Sequence, residues 1–436
     1  MPHVAFVAFT GFRIHEERLL ALGMTLPGFA RRGQAIAALP ALGLLTLAGM
    51  TPEHWGRSWH EAAGCDEQVL QDVLQQRPTL VAVSALTASI EDAYAFCDQL
   101  RAQGVLVAIG GLHATALPGE VLQHADAVCV GDGEPVWHEI LRDAERGSMA
   151  GRYQADAPFD LALAPLPAFA LPGTADRPRF TLQTERGCPF ACEFCAASRM
   201  LGPFREKPIE RIQAELEAIK AIDARPLIEL ADDNTFAGKR DAKQLLAVFR
   251  DAGVRTFTEV DWRIGEQPEL LQALAESGCR QVLIGIESLV FQHPGMGKKA
   301  VERERVMAAV HAVQAAGVVV NACFIIGADG ETAASLDQLA EFVMSADLAE
   351  VQITLQTPFP GSALHTRMIR ENRMLPNRSW RDHTLFDLTY QPDRMTVEDL
   401  EQGFHDLLSR VFGSEPSQRR ETARRNIWKR RRELTR

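Results

Sequence analysis

Three closely spaced cysteines are the residues in this chain best suited to metal chemistry. Cys188, Cys192 and Cys195 are separated by three and then two residues, and the next cysteine along the chain is Cys279. A structural zinc site closes itself with four Cys or His ligands, whereas iron–sulfur clusters are held by cysteine thiolates. Three thiolates on a four-iron cluster leave one iron for a ligand from outside the protein. The spacing therefore indicates chemistry rather than a structural metal site.

The composition is that of an ordinary globular protein. Of the 436 residues, 46% are hydrophobic and 24% are charged, and the length predicts two or three domains. Eight cysteines in a chain this long do not make a disulfide framework, which favours a reducing cytoplasm. The net charge of −11 argues against nucleic acid as a partner. No uninterrupted apolar run reaches roughly 18 residues, so we expect no membrane span.

Apolar runs in the first third of the chain predict strands buried on both faces of a parallel sheet. The runs are residues 4–9, 80–84, 105–109 and 127–130, with helical stretches such as 90–103 and 118–124 between them. Strands alternating with helices predict a doubly wound Rossmann-like α/β domain over residues 1–147. Ligands of such sheets bind beyond the carboxyl ends of the strands. Gly110 and Gly111 follow one run, where they either admit a ligand close to the backbone or form a plain turn.

A proline-rich linker, residues 148–178, precedes a second series of strands and helices. The six strand candidates are residues 180–184, 227–231, 256–260, 281–285, 318–326 and 350–355, and the helices between them include 209–222 and 300–316. Six such units predict a partial (β/α)6 TIM barrel over residues 179–370, with its chemistry at the carboxyl ends of the strands. The cysteine trio comes just after the first strand.

The last part of the chain, residues 371–436, predicts a mostly helical region that ends in a basic tail. The tail spans residues 417–436 and contains nine Lys or Arg residues but only two Glu residues. We expect a solvated helix with Trp428 packed on the body of the protein. The alternative is a surface that binds an acidic partner.

The cysteine motif, with Phe194 before its last cysteine, resembles that of the radical S-adenosylmethionine (SAM) superfamily. The resemblance implies that Cys188, Cys192 and Cys195 bind a [4Fe–4S] cluster, and that the amino and carboxylate groups of SAM bind its fourth iron. A chance match or a zinc site is the alternative.

Three segments after the cysteine trio resemble the SAM-binding elements of that family in their order along the chain. Residues 231–234 stand where the family often has Gly-Gly-Glu near the SAM amino group, although the glycines are missing here. Residues 285–288 resemble the segment near the ribose, and residues 325–327 resemble the segment near the adenine. Taken singly, each could be an ordinary turn at a strand end. The SAM contacts implied in this way come from Asp232, Asp233, Asn234, Glu287, Ser288, Ile326 and Gly327.

The N-terminal half resembles the cobalamin-binding domains of class B methyltransferase-like radical SAM proteins. Residues 84–86 match a Ser-x-Leu element and residues 110–111 a Gly-Gly element, which flank the nucleotide tail of the cofactor. The Asp-x-His-x-x-Gly motif for the lower cobalt ligand is absent from residues 10–15, which is compatible with cobalamin bound without a protein histidine or with a domain that has lost it. His113 either approaches the ligand or is a hydrogen-bonded bystander. The implied cobalamin contacts are Ser84, Leu86, Thr87, Gly110, Gly111 and His113.

The resemblance implies a radical reaction at an unactivated carbon. One electron from the cluster would cleave SAM to methionine and a 5′-deoxyadenosyl radical, which removes hydrogen from the substrate; methylcobalamin would then deliver a methyl group. The leading hypothesis is a cobalamin-dependent radical SAM methyltransferase of specialised metabolism, acting on a small molecule or peptide with flavodoxin or ferredoxin as electron donor. The alternatives are a rearrangement, cyclisation or oxidation with an empty cobalamin-like domain, and a non-catalytic cluster or cobalamin sensor. No catalytic side chain is predicted.

Overall fold

Two six-stranded parallel sheets, each flanked by helices, form the body of the protein. The computed structural model describes residues 1–10, 39–173, 179–295 and 303–434. The strands are β1 His3–Phe9, β2 Gly56–Ala62, β3 Leu80–Ser84, β4 Leu106–Gly110, β5 Ala127–Val130, β6 Gly151–Gln154, β7 Phe180–Leu182, β8 Glu185–Arg186, β9 Arg205–Glu206, β10 Leu227–Leu230, β11 Arg255–Val260, β12 Cys279–Glu287, β13 Val319–Ile326 and β14 Glu350–Leu355. The helices are α1 Leu42–Met50, α2 Glu67–Gln75, α3 Ile90–Ala102, α4 Leu112–Ala116, α5 Pro118–His124, α6 Trp137–Arg146, α7 Ala197–Met200, α8 Ile209–Ile222, α9 Ala242–Ala252, α10 Pro268–Glu276, α11 Arg303–Ala315, α12 Ala333–Ser345, α13 Ala363–Arg370, α14 Val397–Val411 and α15 Ser414–Leu434.

The first sheet confirms the predicted doubly wound domain. Its strand order is β2-β1-β3-β4-β5-β6, and all neighbouring strands are parallel. Val4 and Phe6 pack in one apolar cluster while Ala5 and Val7 pack in another, so both faces of β1 are covered. The strand order reverses between β1 and β3, which is where ligands of such sheets bind beyond the strand ends.

Two strands of this sheet were not predicted from the sequence. β2 lies at the edge of the sheet, and most of its residues are only partly buried. Its sequence therefore has no continuous apolar run. β6 lies within residues 148–178, which the sequence assigns to the linker, and it pairs in parallel with β5 through Ala127–Gly151 to Val130–Gln154. An edge strand has no need of apolar residues at every position, and this is why the periodicity does not reveal it.

The second sheet confirms the partial barrel. Its strand order, β14-β13-β12-β11-β10-β7, follows the chain, and the neighbouring strands are parallel. Ile284, Ala322 and Ile353 pack in the main apolar cluster with residues of the surrounding helices. Polar residues occupy some of the alternate positions, where Asn321 Nδ2 donates to Gln352 Oε1 at 3.5 Å. The predicted helix 300–316 is observed from Arg303 onward, since residues 300–302 lie outside the described residues.

A short antiparallel hairpin, β8 with β9, was not predicted. It closes the segment that contains the three cysteines. Next to it, Leu45 of α1 packs in one apolar cluster with Ile212 and Leu216 of α8. This shared cluster joins the first domain to the barrel.

The C-terminal region is helical, and α15 carries the basic tail. Arg431 is buried, and its guanidinium donates to the carbonyl oxygens of Ala275, at 2.6 Å, and of Cys279. The expectation that Trp428 packs on the body is wrong, because 41% of this residue is exposed. Ile427 and Arg431, four residues apart, form the buried face of the helix instead. No helix in the described part of the chain has the length and apolar character to cross a membrane.

Candidate cofactor-binding sites

The cysteine loop, residues 187–196, runs from β8 to α7. All three of its cysteines are partly exposed, and none of the eight cysteines of the chain forms a disulfide. Ser198 N donates to Cys195 Sγ at 3.4 Å, and the side chain of Asn234 is hydrogen-bonded to Cys188. Burial raises the pKa of the Cys188 and Cys195 thiols. Donors directed at cysteine sulfurs are one of the means by which proteins tune iron–sulfur clusters.

The donor set of this loop fits a cluster better than a single metal ion. Within residues 1–10, 39–173, 179–295 and 303–434, no three His, Cys, Asp or Glu side chains converge on a point where they could hold one ion. In a four-iron cluster, each thiolate binds a different iron, so the three sulfurs need not meet at one point. Three thiolates with amide donors nearby are suitable ligands for such a cluster.

Glu193 fastens the loop to the barrel. Its buried carboxylate accepts hydrogen bonds from Arg367 Nε at 2.6 Å and Nη2 at 3.2 Å. Arg367 also donates to Asp329 at 2.5 Å. The backbone of Glu193 bonds to Pro294 O at 2.8 Å and to Leu364 N at 2.9 Å. The loop is thus held by the segments after β12 and β13 and by α13, which fixes the cysteines relative to three strand ends.

The predicted SAM contacts after β10 differ in what they already bind. Asp232 is buried and accepts hydrogen bonds from Thr184 N at 2.7 Å, Thr184 Oγ1 at 2.6 Å, Glu185 N at 3.1 Å and Thr235 Oγ1 at 3.0 Å. It therefore connects the ends of β7 and β10. Asp233 is partly buried, and desolvation together with the charge of Asp232 raises its pKa to about 6.

Asn234 and Glu287 lie at two further strand ends. Asn234 is buried, and its Oδ1 has no hydrogen-bond partner among the described residues. Glu287 has a φ of 69°, and its carboxylate folds back over Gly285, where an added Cβ would lie 2.2 Å from Oε1. Gly285 therefore makes room for the carboxylate of Glu287.

A buried carboxylate also connects the next two strand ends. Glu331 accepts from Ser288 Oγ at 2.5 Å and from Gly327 N at 2.7 Å. Ile326 is 1% exposed and packs in the main apolar cluster, while its carbonyl accepts from Gln356 N at 2.8 Å. The predicted contacts around the ribose and adenine are thus brought together, but Ser288, Gly327 and Ile326 already use part of their polar groups within the fold.

A cavity lies between the carboxyl edge of the first sheet and the barrel, and we call it the interdomain cavity. Its volume is about 270 Å³. Three of the predicted cobalamin contacts, Ser84, Gly110 and Gly111, line it. Gly111 has a φ of 109°, which side chains rarely adopt, and a Cβ there would lie 3.6 Å from Ser84 Oγ. A volume below that of pockets for drug-sized ligands suits one part of a large cofactor, such as its tail, rather than the whole.

The other three predicted contacts, Leu86, Thr87 and His113, do not line this cavity. His113 is 1% exposed, and its Nδ1 and Nε2 lie 3.3 Å from Thr87 Oγ1 and from Glu120 Oε1. Both ring nitrogens thus have protein partners. Leu86 is 40% exposed at the start of a 3₁₀ turn. Residues 11–15, which would hold the lower-ligand motif, lie outside the described residues.

Ion pairs that the sequence did not predict connect the two domains. Arg186, which directly precedes Gly187 of the cysteine loop, donates to Asp132 at 2.6 Å and to Glu134 at 2.7 Å. Arg205 donates to the second oxygen of Asp132 at 2.6 Å. Asp132 and Glu134 follow β5, and nothing local marks Arg186 and Arg205 as their partners, since more than 50 residues separate them.

Comparison with protein-family models gives two matches. Residues 182–343 match the radical SAM superfamily, and residues 35–141 match the B12 binding domain. The two models imply a [4Fe–4S] cluster, SAM and cobalamin as cofactors.

Several relatives are named as methyltransferases. An uncharacterized methyltransferase of Synechocystis sp. is 29% identical over 77% of this chain and 64% of its own length. Bacteriochlorophyllide d C-12(1)-methyltransferase of Chlorobaculum tepidum is 27% identical over 76% of this chain and 74% of its own length. Hopanoid C-2 methylase of Rhodopseudomonas palustris is 24% identical over 78% and 66%, respectively. The chain thus spans a little under two thirds of the Synechocystis relative.

Solved structures share the fold. The cobalamin-dependent SAM radical enzyme OxsB, with aqua-cobalamin bound, has a TM-score of 0.70 at 14% identity and covers 95% of this chain and 67% of its own. The radical SAM methyltransferase TsrM from Kitasatospora setae, with cobalamin and a [4Fe–4S] cluster bound, has a TM-score of 0.65 at 14% identity, over 99% and 89%. The family matches thus give this chain a B12-binding domain over residues 35–141, followed by a radical SAM domain over residues 182–343 that contains the cysteine loop.

Proposed function

We propose that this protein is a cobalamin-dependent radical SAM methyltransferase that methylates an unactivated carbon. The observation that carries the proposal is the connection through Arg186. This residue is adjacent to the cysteine loop, and its guanidinium binds Asp132 and Glu134 on the wall of the interdomain cavity. The cluster site and the tail site are therefore held on two sides of one junction, as a reaction using both cofactors requires.

The three cysteines would hold the cluster, and Ser84, Gly110 and Gly111 would hold the cobalamin tail. When bound, these cofactors supply a carbon radical for hydrogen removal and a methyl group for transfer. Asp233 and Asn234 would bind the amino group of SAM; the Oδ1 atom of Asn234, which has no partner within the described residues, supports this role. Glu287 and the backbone of Gly327 would contact the remainder of SAM.

The residues around the two cofactor sites would enclose the reaction. The ion pairs of Asp132 with Arg186 and Arg205 keep the two domains in contact at the cavity. A closed site prevents a reactive carbon radical from attacking other groups or solvent. The substrate is proposed to be a small molecule or peptide.

An external reductant must supply the electron. We propose flavodoxin or ferredoxin as the donor and a reducing cytoplasm as the location, in agreement with eight cysteines of which none is in a disulfide.

Anaerobic reconstitution with iron, sulfide and hydroxocobalamin tests the proposal. We expect cluster and cobalamin absorbance in a stoichiometric complex, and 5′-deoxyadenosine when SAM and dithionite are added. A cluster with 5′-deoxyadenosine formation but no retained cobalamin would favour rearrangement, cyclisation or oxidation. Absence of 5′-deoxyadenosine under strong reductant would contradict an enzymatic function and favour the sensor.

A further inference from the structure

The barrel side of the interdomain cavity carries a buried ion pair that the proposed mechanism leaves without a role. Lys207, directly after β9, is 5% exposed, and Glu215 of α8 is 2% exposed. Lys207 Nζ lies 2.6 Å from Glu215 Oε1, and both residues line the cavity. Two charges that are withdrawn from water and face a cavity require an explanation beyond packing.

Glu215 retains one oxygen with no protein donor. Its Oε2 is buried and has no hydrogen-bond partner among the described residues. The two other carboxylates of the cavity lining have donors on both oxygens: Arg186 and Arg205 each donate to one oxygen of Asp132, and Arg186 donates to both oxygens of Glu134. A buried carboxylate oxygen without a donor is destabilising, and a ligand hydroxyl would remove that cost.

Lys207 has donor capacity as well. Its ammonium carries three N–H donors, and Glu215 takes one of them. An ammonium group with donors to spare is a suitable partner for a phosphate. The cavity lining also includes the apolar side chains of Leu44, Ile109 and Ile140.

We propose that Lys207 and Glu215 bind the ribose-phosphate part of the cobalamin nucleotide tail and thereby select the tailed cofactor. Lys207 would bind the phosphate, Glu215 Oε2 would accept from a ribose hydroxyl, and the base would lie against the apolar walls near Gly110. This inference rests on the proposed cobalamin function. It makes a residue pair of the barrel, rather than the B12-binding domain alone, responsible for retaining the cofactor.

Titration of the full-length protein with two corrinoids tests the pair. Hydroxocobalamin has the nucleotide tail, and cobinamide is the same corrin ring without it. The variants are Glu215→Gln and the double variant Lys207→Met with Glu215→Met, which leaves no isolated buried charge. Glu217→Gln, an exposed site on the same helix, is the matched control. Thermal unfolding without corrinoid verifies that each variant is folded.

We expect the double variant to bind hydroxocobalamin at least about tenfold more weakly, as for loss of charged hydrogen bonds, and to bind cobinamide within about twofold of the wild type. The Glu217→Gln protein should match the wild type for both. Unchanged affinity for both corrinoids, or an equal loss for both, overturns the inference and leaves the proposed function in place. Failure of the wild type to bind either corrinoid overturns the cobalamin function and the inference with it.

Discussion

The two domains build their ligand-facing edges in opposite ways. At the edge of the first sheet, Ser84, Gly110 and Gly111 surround a cavity because large side chains are absent. At the edge of the barrel, buried carboxylates connect neighbouring strand ends, as Asp232 does for β7 and β10 and Glu331 does for the loops after β12 and β13. Small residues leave space at the first edge, whereas charged groups and hydrogen bonds hold the second edge together.

This difference separates binding from stability. A new side chain at the first edge should fill the cavity and weaken cofactor binding, and it should cost less stability than a substitution at the barrel edge. Removal of a carboxylate at the barrel edge leaves buried donors without partners, so stability should fall before any ligand is present. Substitutions at the two edges can therefore test whether the comparison holds.

The largest effect is expected at the cysteine loop. Cys188→Ala should abolish the bound [4Fe–4S] cluster and SAM cleavage, because two thiolates remain for a cluster that needs three protein ligands. Iron content and cluster absorbance after anaerobic reconstitution measure this. Cys65→Ala, at an exposed cysteine outside the loop, is the control and should retain full iron content. Cobalamin binding should survive in both variants, and its loss in Cys188→Ala would show that the two edges are not independent.

Adjacent aspartates after β10 provide the next contrast. Asp232→Ala should lower the free energy of unfolding by about 4 kcal/mol, since it leaves the N–H groups of Thr184 and Glu185 without an acceptor. Asp233→Ala should change it by less than about 1 kcal/mol, because an aspartate whose pKa is raised by burial is itself unfavourable when charged. Urea denaturation of the apo protein measures both. Equal losses would contradict a structural role specific to Asp232.

Alanine substitutions at Gly327 of the barrel edge and at Gly111 of the first edge test the difference between the two edges directly. A Cβ at Gly327 would lie 2.5 Å from Tyr390 Oη, whereas a Cβ at Gly111 meets nothing closer than 3.6 Å. Both have φ between 87° and 109°, so alanine costs about 2 kcal/mol in backbone strain at either site. Overpacking adds about 1 kcal/mol or more at Gly327. We expect Gly327→Ala to be the less stable of the two variants in urea denaturation. Gly111→Ala alone should lose bound cobalamin, and it should keep its iron. The reverse pattern would contradict the proposed difference between the two edges.

The sequence predicts the buried strands of both sheets and fails where a strand or contact is not encoded locally. Continuous apolar runs such as residues 4–9 signal burial on both faces, and the observed strand β1 confirms them. β2 and β6 escape because edge strands are only partly buried. The cysteine loop was found because its ligands are close in sequence.

The polar contacts could not be predicted for the same physical reason. Glu193 and Arg367 are 174 residues apart, and Arg186 and Glu134 are 52 apart, so no spacing rule connects them. Asp232 shows a different failure, because a carboxylate at a strand end suits a ligand contact and a structural contact equally well. Its four hydrogen bonds become evident only in the fold.

The smallest effect is expected where the C-terminal region contacts the B12-binding domain, away from both ligand-facing edges. Here Trp380 of the C-terminal region donates to Glu120 of the B12-binding domain at 3.2 Å, and His383 packs against Trp380. The pKa of His383 is lowered from 6.5 to about 4, mainly by burial; the hydrogen bond to the Ser379 carbonyl and the charge of Asp382 oppose the shift, and His365 and His113 add to it. As the pH falls below 6.5, the unfolded chain gains a proton that the folded chain does not accept until about pH 4, so stability is lost across this window. At pH 5 the loss from this residue is about 2 kcal/mol.

His383→Gln should remove that dependence. Its urea midpoint should therefore fall less than that of the wild type between pH 7.5 and pH 5, while His54→Gln, at a mostly exposed histidine, should follow the wild type. Parallel curves for the wild type and His383→Gln would mean that this contact tolerates a charged histidine. In that case acid should leave the contact between Trp380 and Glu120 intact, and the pH dependence of the assembly would come instead from carboxylates such as Asp132, which binds Arg186 and Arg205 across the junction.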